Sequence, residues 1–411
     1  MCESGYSWGS GIFGRLGLGS ETDADAPQQI HHALKGTELV AAGAGWFHSG
    51  MVTAAGEVFT FGSNATGCLG MEEGTTIPRR VNGFPTSVRI VQVACCGDLA
   101  GAYSLALSDS GRLFVWGHPV GCGLGNQTTP VLEPQMVTKF AIGNSIGNFE
   151  PPVVVHIAGG GMAGACVASD GSVFTWGQAA DGRLGYRASS GVQWRPRRID
   201  SLVHEVVKTV AVGNGHMAAQ CGSGSLFTWG LNDRGQLGIG SLTPSRVFGP
   251  RKIGKNDFLV RAVACGERHT LAADGLGRLF AWGAGGAFSL GRGGVDENRK
   301  KLSDLYTEIP KKIEYTWTKP QQVLALEDHR IVRVSAGASS SLAMTDSGLL
   351  FEWGTPKKVV PRLVQTPNVA LDALVCGAWH NIALGSVAHP ALAAIARDLP
   401  ECPGAGSFWL S

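Results

Sequence analysis

The sequence has no apolar run long enough to cross a bilayer, because the longest, Val153 to Ser169, is broken by His156 and a glycine cluster. Nor does it open on a charged segment followed by an apolar one, so no secretory leader is expected. The sequons Asn64-Ala65-Thr66 and Asn126-Gln127-Thr128 then read as ordinary loops. Its ten cysteines include no C-x-x-C pair, and the adjacent Cys95 and Cys96 have no nearby Cys/His pair to complete a tetrahedral site. Neither a zinc site nor a disulfide scaffold is indicated, and thiols set in apolar runs fit a reducing compartment. Charge of one sign is missing too: 34 Lys+Arg against 32 Asp+Glu leave a formal +2, too little to draw the chain onto nucleic acid or an anionic membrane. There is no Gly-x-Ser-x-Gly elbow, no phosphate loop ending in Gly-Lys-Ser/Thr, and no His-Glu-x-x-His. No cofactor, metal or bond-making chemistry is expected, and the chain is placed as soluble and intracellular, in cytoplasm, nucleus, or a cilium or other cytoskeletal assembly.

What the sequence does have is glycine, 60 of 411 residues, about twice the usual ~7%. The glycines keep a register. An aromatic-Gly pair recurs at Trp8, Phe61, Trp116, Trp176, Trp229, Trp282 and Trp353, at spacings of 53, 55, 60, 53, 53 and 71 residues. After most pairs comes a Gly-x-Leu-Gly turn (Gly14 to Gly17, Gly67 to Gly70, Gly182 to Gly185, Gly235 to Gly238), where glycine supplies backbone angles that other residues resist. A Pro-x-x-Val/Ile segment follows, as at Pro78 to Val81 and Pro250 to Ile253; a proline cannot donate to a ladder, which puts this strand at a sheet edge. Each period ends with an apolar run, a glycine, a two-residue gap and often a histidine: Gly45 to His48, Gly213 to His216, Gly266 to His269, Gly377 to His380.

About four short strands per period, seven times over, cannot bury their faces singly, so an all-β, seven-bladed propeller is predicted over residues 1–388. The chain starts on the last strand of a period and its final period stops short after Leu384, so the N-terminal strand is expected to complete the seventh blade and close the ring. Two stretches interrupt the period, 138–152 and 292–319. From Gly291 to Pro320 is 29 residues where the corresponding interval elsewhere is 8 to 12. Residues 389–411 leave the repeat and read as a tail, a short Ala-rich helix and an extended piece.

The combination of Trp-Gly, Gly-x-Leu-Gly, Pro-x-x-Val and Gly-x-x-His at this period resembles the regulator of chromosome condensation repeat family. The resemblance implies a non-enzymatic protein-interaction scaffold or, alternatively, guanine-nucleotide exchange on a Ran-like small GTPase. In the latter case Asp98, His216, Glu267, His269 and His380 are the residues implied to destabilise bound nucleotide. A scaffold would bind a small GTPase or a cytoskeletal or signalling complex. For that role the sequence offers two surfaces. Ring closure makes the first and last repeats neighbours, which gathers Trp46, Phe47 and Trp379 beside His48 and His380 at one mouth; the other reading has these rings turned inward and each histidine bonding backbone within its blade. The insertion offers Lys300, Lys301, Tyr306, Lys311 and Lys312, either as a partner-binding arm or as a solvated loop. Arg79-Arg80, Arg197-Arg198 and Arg251-Lys252 on the edge strands protect those edges or meet an acidic partner.

Overall fold

A computed structural model describes residues 4–31, 34, 36–143, 145–146, 150–188, 190–254, 258–285, 289–291, 316–355, 358–366 and 369–387. Seven sheets, each built on four antiparallel strands, stand around one axis. In the first blade the strands Leu39–Ala44, His48–Thr53, Val58–Gly62 and Thr75–Arg80 pair in sequence order. The innermost strands of the other blades are Ile90–Asp98, Val154–Gly160, Val207–Val212, Val260–Cys265, Ile331–Ala336 and Val369–Cys376, each against the next around the axis. The fourth strands, which carry the prolines in six blades and directly follow Pro361 in blade 6, are outermost everywhere but in blade 3, as expected for a residue that cannot donate. The blade 3 edge is extended by Ala141–Ile142 and Ser145–Ile146, which lie within the 138–152 insertion.

Closure uses two N-terminal strands, not one. Ser4–Gly9 pairs with His380–Val387, with Trp8 opposite Asn381, and Ala24–Gln29 forms the outer edge of the seventh blade. The larger insertion lies between the third and fourth strands of the fifth blade. Residues 292–315, and with them Lys300, Lys301, Tyr306, Lys311 and Lys312, fall outside the described residues, as does the tail 389–411. Thr316 to Lys319, read above as the end of the insertion, start the outer strand Thr316–Gln322, because Trp317 pairs with Gly283.

The core lies between blades. Six tryptophans of the Trp-Gly pairs are sealed, 0 to 1% exposed. Each removes on the order of 200 Å² from water, about 5 kcal/mol at ~25 cal/mol per Å². Around the axis the glycine of each Gly-x-x-His loop, and Gly337 of the matching loop that ends in Ser340, abuts the neighbouring blade. A Cβ at Gly337 would sit 2.2 Å from the Gly377 carbonyl, and one at Gly377 would sit 2.5 Å from that of Gly45. Only a bare Cα lets the backbones approach closely enough for Ala378 N–H to donate to Gly45 O at 3.0 Å. The expected result for Gly337→Ala is a loss of about 1–3 kcal/mol, read from the urea midpoint, whereas Gly249→Ala, with nothing within 4 Å of its Cβ, leaves the midpoint in place.

Candidate functional site

The loops joining first to second strands and third to fourth strands share one mouth of the ring, here called upper. At the meeting of blades 7 and 1 they hold four aromatic rings. Trp46 and Trp379 are edge to face with centroids 4.9 Å apart; Trp46 and Phe47 are at 6.1 Å, and Phe13 and Phe47 at 5.9 Å. The patch is open to solvent, with Phe13 47% and Trp379 45% exposed.

Beneath the rings lies a buried guanidinium. Arg15 donates from Nε to Ile12 O at 2.8 Å and from Nη1 to Trp46 O at 2.7 Å. Its charged carbon lies 5.7 to 6.0 Å from the ring centroids of Phe13, Phe47 and Trp379. Burial lowers its pKa, and Asp23 offsets part of that. Arg15 thus fixes the Trp46 backbone and gives the electron-rich ring faces a cation to lie against. Phe13 is held at φ 64°, a left-handed conformation that is an outlier for a bulky residue. A groove of about 520 Å³ starts at Phe13 and runs between the blades past Glu21, Asn64, Thr76 and Arg79.

The histidines take a different place from the one expected at the mouth. His48, His216, His269 and His380 are 0 to 1% exposed, and each bonds across a blade boundary instead of within its blade. Nε2 meets a hydroxyl at 2.7 to 2.9 Å, on Ser104, Thr270, Ser341 and Ser49 respectively. Each hydroxyl gives its proton to a turn carbonyl, of Cys68, Gln236, Ser289 and Arg15. The hydroxyl proton being spent there, Nε2 carries the imidazole hydrogen and donates it, which leaves Nδ1 bare. Trp116, Trp282 and Trp353 donate to three of the same carbonyls. Burial depresses the imidazoles to pKa values of about 3 for His48, His216 and His380 and about 4 for His269. They are neutral struts between blades.

Asp98 and Glu267 do reach the upper mouth, half-buried, from blades 2 and 5. The Asp98 carboxylate accepts from Ala100 N–H at 2.8 Å, and Glu267 lies 3.7 Å from the Arg268 guanidinium. The structure therefore brings Trp46, Phe47 and Trp379 together, while Asp98 and Glu267 come from blades 2 and 5, Glu267 lining with Trp46 the cavity on the ring axis. Phe13 and Arg15 went unseen in sequence because they sit in and beside the Gly14-Arg15-Leu16-Gly17 turn, legible only as a turn. No group of three or more His, Cys, Asp or Glu that could hold a metal occurs among the described residues. The eight described cysteines are buried, and burial raises their thiols, that of Cys68 to about 12, which leaves them poor nucleophiles.

Residues 4–358 match the RCC1-like domain. The chain belongs to the RCC1-like domain family. It is 34% identical over 274 residues to the human E3 ubiquitin-protein ligase HERC2, covering 65% of this chain and 5% of that protein. It is 34% identical over 307 residues to the ultraviolet-B receptor UVR8 of Arabidopsis thaliana, covering 72% of this chain and 64% of the receptor. This RCC1-like chain thus spans less than two thirds of either relative. The fold matches yeast RCC1 (Prp20) in its complex with Kap60 at a TM-score of 0.79 and 21% identity, over 96% of this chain and 91% of that one. Human WBSCR16 matches at 0.74 and 21%, over 94% and 99%. No helix among the described residues is long and apolar enough to cross a membrane.

Proposed function

We propose that this RCC1-like chain is a non-enzymatic interaction module that binds a protein partner through the aromatic pole of its upper mouth. The observation that carries the reading is the set of four clustered rings, two of them nearly half exposed, braced on the buried Arg15. Large rigid rings with restricted rotamers give contact area at small entropic cost, which is what protein hot spots use. The adjoining groove gives room for a side chain or loop of the partner. The test is recovery of partners on the immobilised intact chain, with Trp46→Ala/Trp379→Ala alongside: proteins held by the wild type and lost by the variant support the reading. A partner set unchanged by the variant overturns it.

Guanine-nucleotide exchange on a Ran-like GTPase is the second reading. Prp20p of Saccharomyces cerevisiae, a protein with binding properties toward Gsp1p and histones, shares this fold at a TM-score of 0.78 and 21% identity. Of the residues named for exchange, Asp98 and Glu267 alone reach the surface. Exchange would appear as accelerated release of fluorescent GDP from a Ran-like GTPase, lost in Asp98→Ala/Glu267→Ala; the scaffold reading expects the rate to stay at its spontaneous value.

A further inference from the structure

The lower mouth, opposite the aromatic pole, carries a second ordered surface. Every innermost strand has a β-bulge after its first one to three residues, which leaves one extra residue unpaired with the second strand. All these extra residues are exposed: Val40, Val91, Val155 and Val332 in blades 1, 2, 3 and 6, Lys208 and Arg261 in blades 4 and 5, and Asp372 in blade 7. The backbone thus presents a ring of side chains whose identity the core does not dictate.

In blades 4 and 5 that ring merges with apolar neighbours. Val206 is 53%, Leu259 48% and Leu276 73% exposed. They are contiguous with the cations: Gly222 N–H bonds Val206 O and Gly275 N–H bonds Leu259 O, and Cβ atoms at these glycines would lie 3.3 Å from Lys208 Cε and 3.7 Å from Arg261 Nε. Nearby Arg278 and Arg330 are paired with Asp274 and Asp346. Neither Lys208 nor Arg261 forms a salt bridge among the described residues, and the half-buried Glu205 turns its carboxyl to the Cys221 thiol.

We infer that the lower rim of blades 4 and 5 is a second docking surface, whose occupant is a polypeptide segment carrying aliphatic side chains interspersed with carboxylates. Two cations without a salt bridge among the described residues, beside three exposed aliphatics, call for that mixture. A second copy seated on itself here would set cation against cation. Lipid recognition draws on clusters of about four to eight Lys/Arg, more than this rim supplies.

The experiment selects random peptides displayed on phage against the full chain and repeats the selection on Lys208→Glu/Arg261→Glu, both positions being exposed and outside the core. The expected result is enrichment of sequences rich in Asp or Glu together with Leu, Ile or Phe. Synthetic copies should bind about tenfold or more weakly to that variant and to Leu276→Asp and with unchanged affinity to Trp46→Ala/Trp379→Ala, which separates this surface from the upper mouth. The inference is overturned by no enrichment, by neutral or basic winners, or by winners indifferent to the charge reversal. It is equally overturned if phosphatidylserine vesicles bind the chain and the reversal abolishes that, or if sedimentation shows a dimer broken by Leu276→Asp.

Discussion

Lowering the pH from 7.5 to 5 should destabilise this propeller by several kcal/mol. The cause is the ring of buried histidines. In the unfolded chain each binds a proton near its ordinary pKa of about 6.5, whereas in the folded chain His48, His216 and His380 stay neutral down to about 3 and His269 to about 4. Between those limits the unfolded state holds more protons, so stability is fully present above the unfolded pKa and falls as the pH drops below it. The slope approaches about 1.4 kcal/mol per pH unit for each such histidine. A total folding stability of ~5–15 kcal/mol is within reach of that loss. Charging Nδ1 would also strand a cation, since Nδ1 of His48, His216 and His380 has no hydrogen-bond partner. Urea midpoints measured at both pH values check this. His380→Gln should lower stability at pH 7.5, because it removes the strut to Ser49 at the closing seam, yet flatten the pH slope by about one proton. Equal wild-type midpoints at both pH values would contradict the assignment of neutral struts.

These struts show where sequence reading stopped. The period, the edge prolines, the seven blades and the closing of the ring are written in residue types that the backbone demands, so they were legible. So was the meeting of Trp46 and Phe47 with Trp379, which needs only closure and equal register. The histidine's role was not, because its partner lies 54 to 72 residues away in the following blade, or across the ring closure for His380 with Ser49. A hydroxyl one position past the Gly-x-x-His slot or its Ser340 counterpart, as in Ser49, Thr270 and Ser341, was the available clue; Ser104 lies four past the matching Ala100 and keeps the same place only through Tyr103, which pairs with Gly117. The bulges were hidden for another reason: one extra residue resets the alternation of a short strand, so Val40 or Arg261 looks like any other position. The seam between blades 6 and 7 departs from the pattern in a readable way. There Ser340 replaces histidine and no Gly-x-Leu-Gly turn follows Trp353-Gly354. Trp8 accordingly donates to the buried Glu352 carboxylate at 3.2 Å, which Asn381 and Lys358 also engage.

Phe13→Gly should make the protein more stable and its partner bind worse, a pair of opposite signs that a merely structural phenylalanine would not give. Phe13 is held at φ 64°, and Asp181 takes the matching place beside the Gly182-Arg183-Leu184-Gly185 turn at φ 62°. Aspartate tolerates that conformation, and there its carboxylate pairs with Arg183 at 3.2 Å and Arg246 at 2.9 Å. Phenylalanine has no polar return of this kind. What it gains is a half-exposed ring against Phe47 and the Arg15 cation, which is little recompense for a left-handed backbone costing about 1–2 kcal/mol. Glycine adopts the same angles without that cost, so the urea midpoint of Phe13→Gly should rise by an amount equivalent to about 1 kcal/mol. Removing the ring takes one wall from both the aromatic patch and the groove. Calorimetric titration with a partner recovered on the wild-type chain should then show affinity lower by about 2 kcal/mol, roughly 30-fold, and Trp379→Ala should lose at least as much. A stabilised Phe13→Gly chain that binds its partner as tightly as wild type would move the binding site away from the aromatic pole; a destabilised one would mean that the ring's contacts outweigh the strain, and that Phe13 is there to hold the turn.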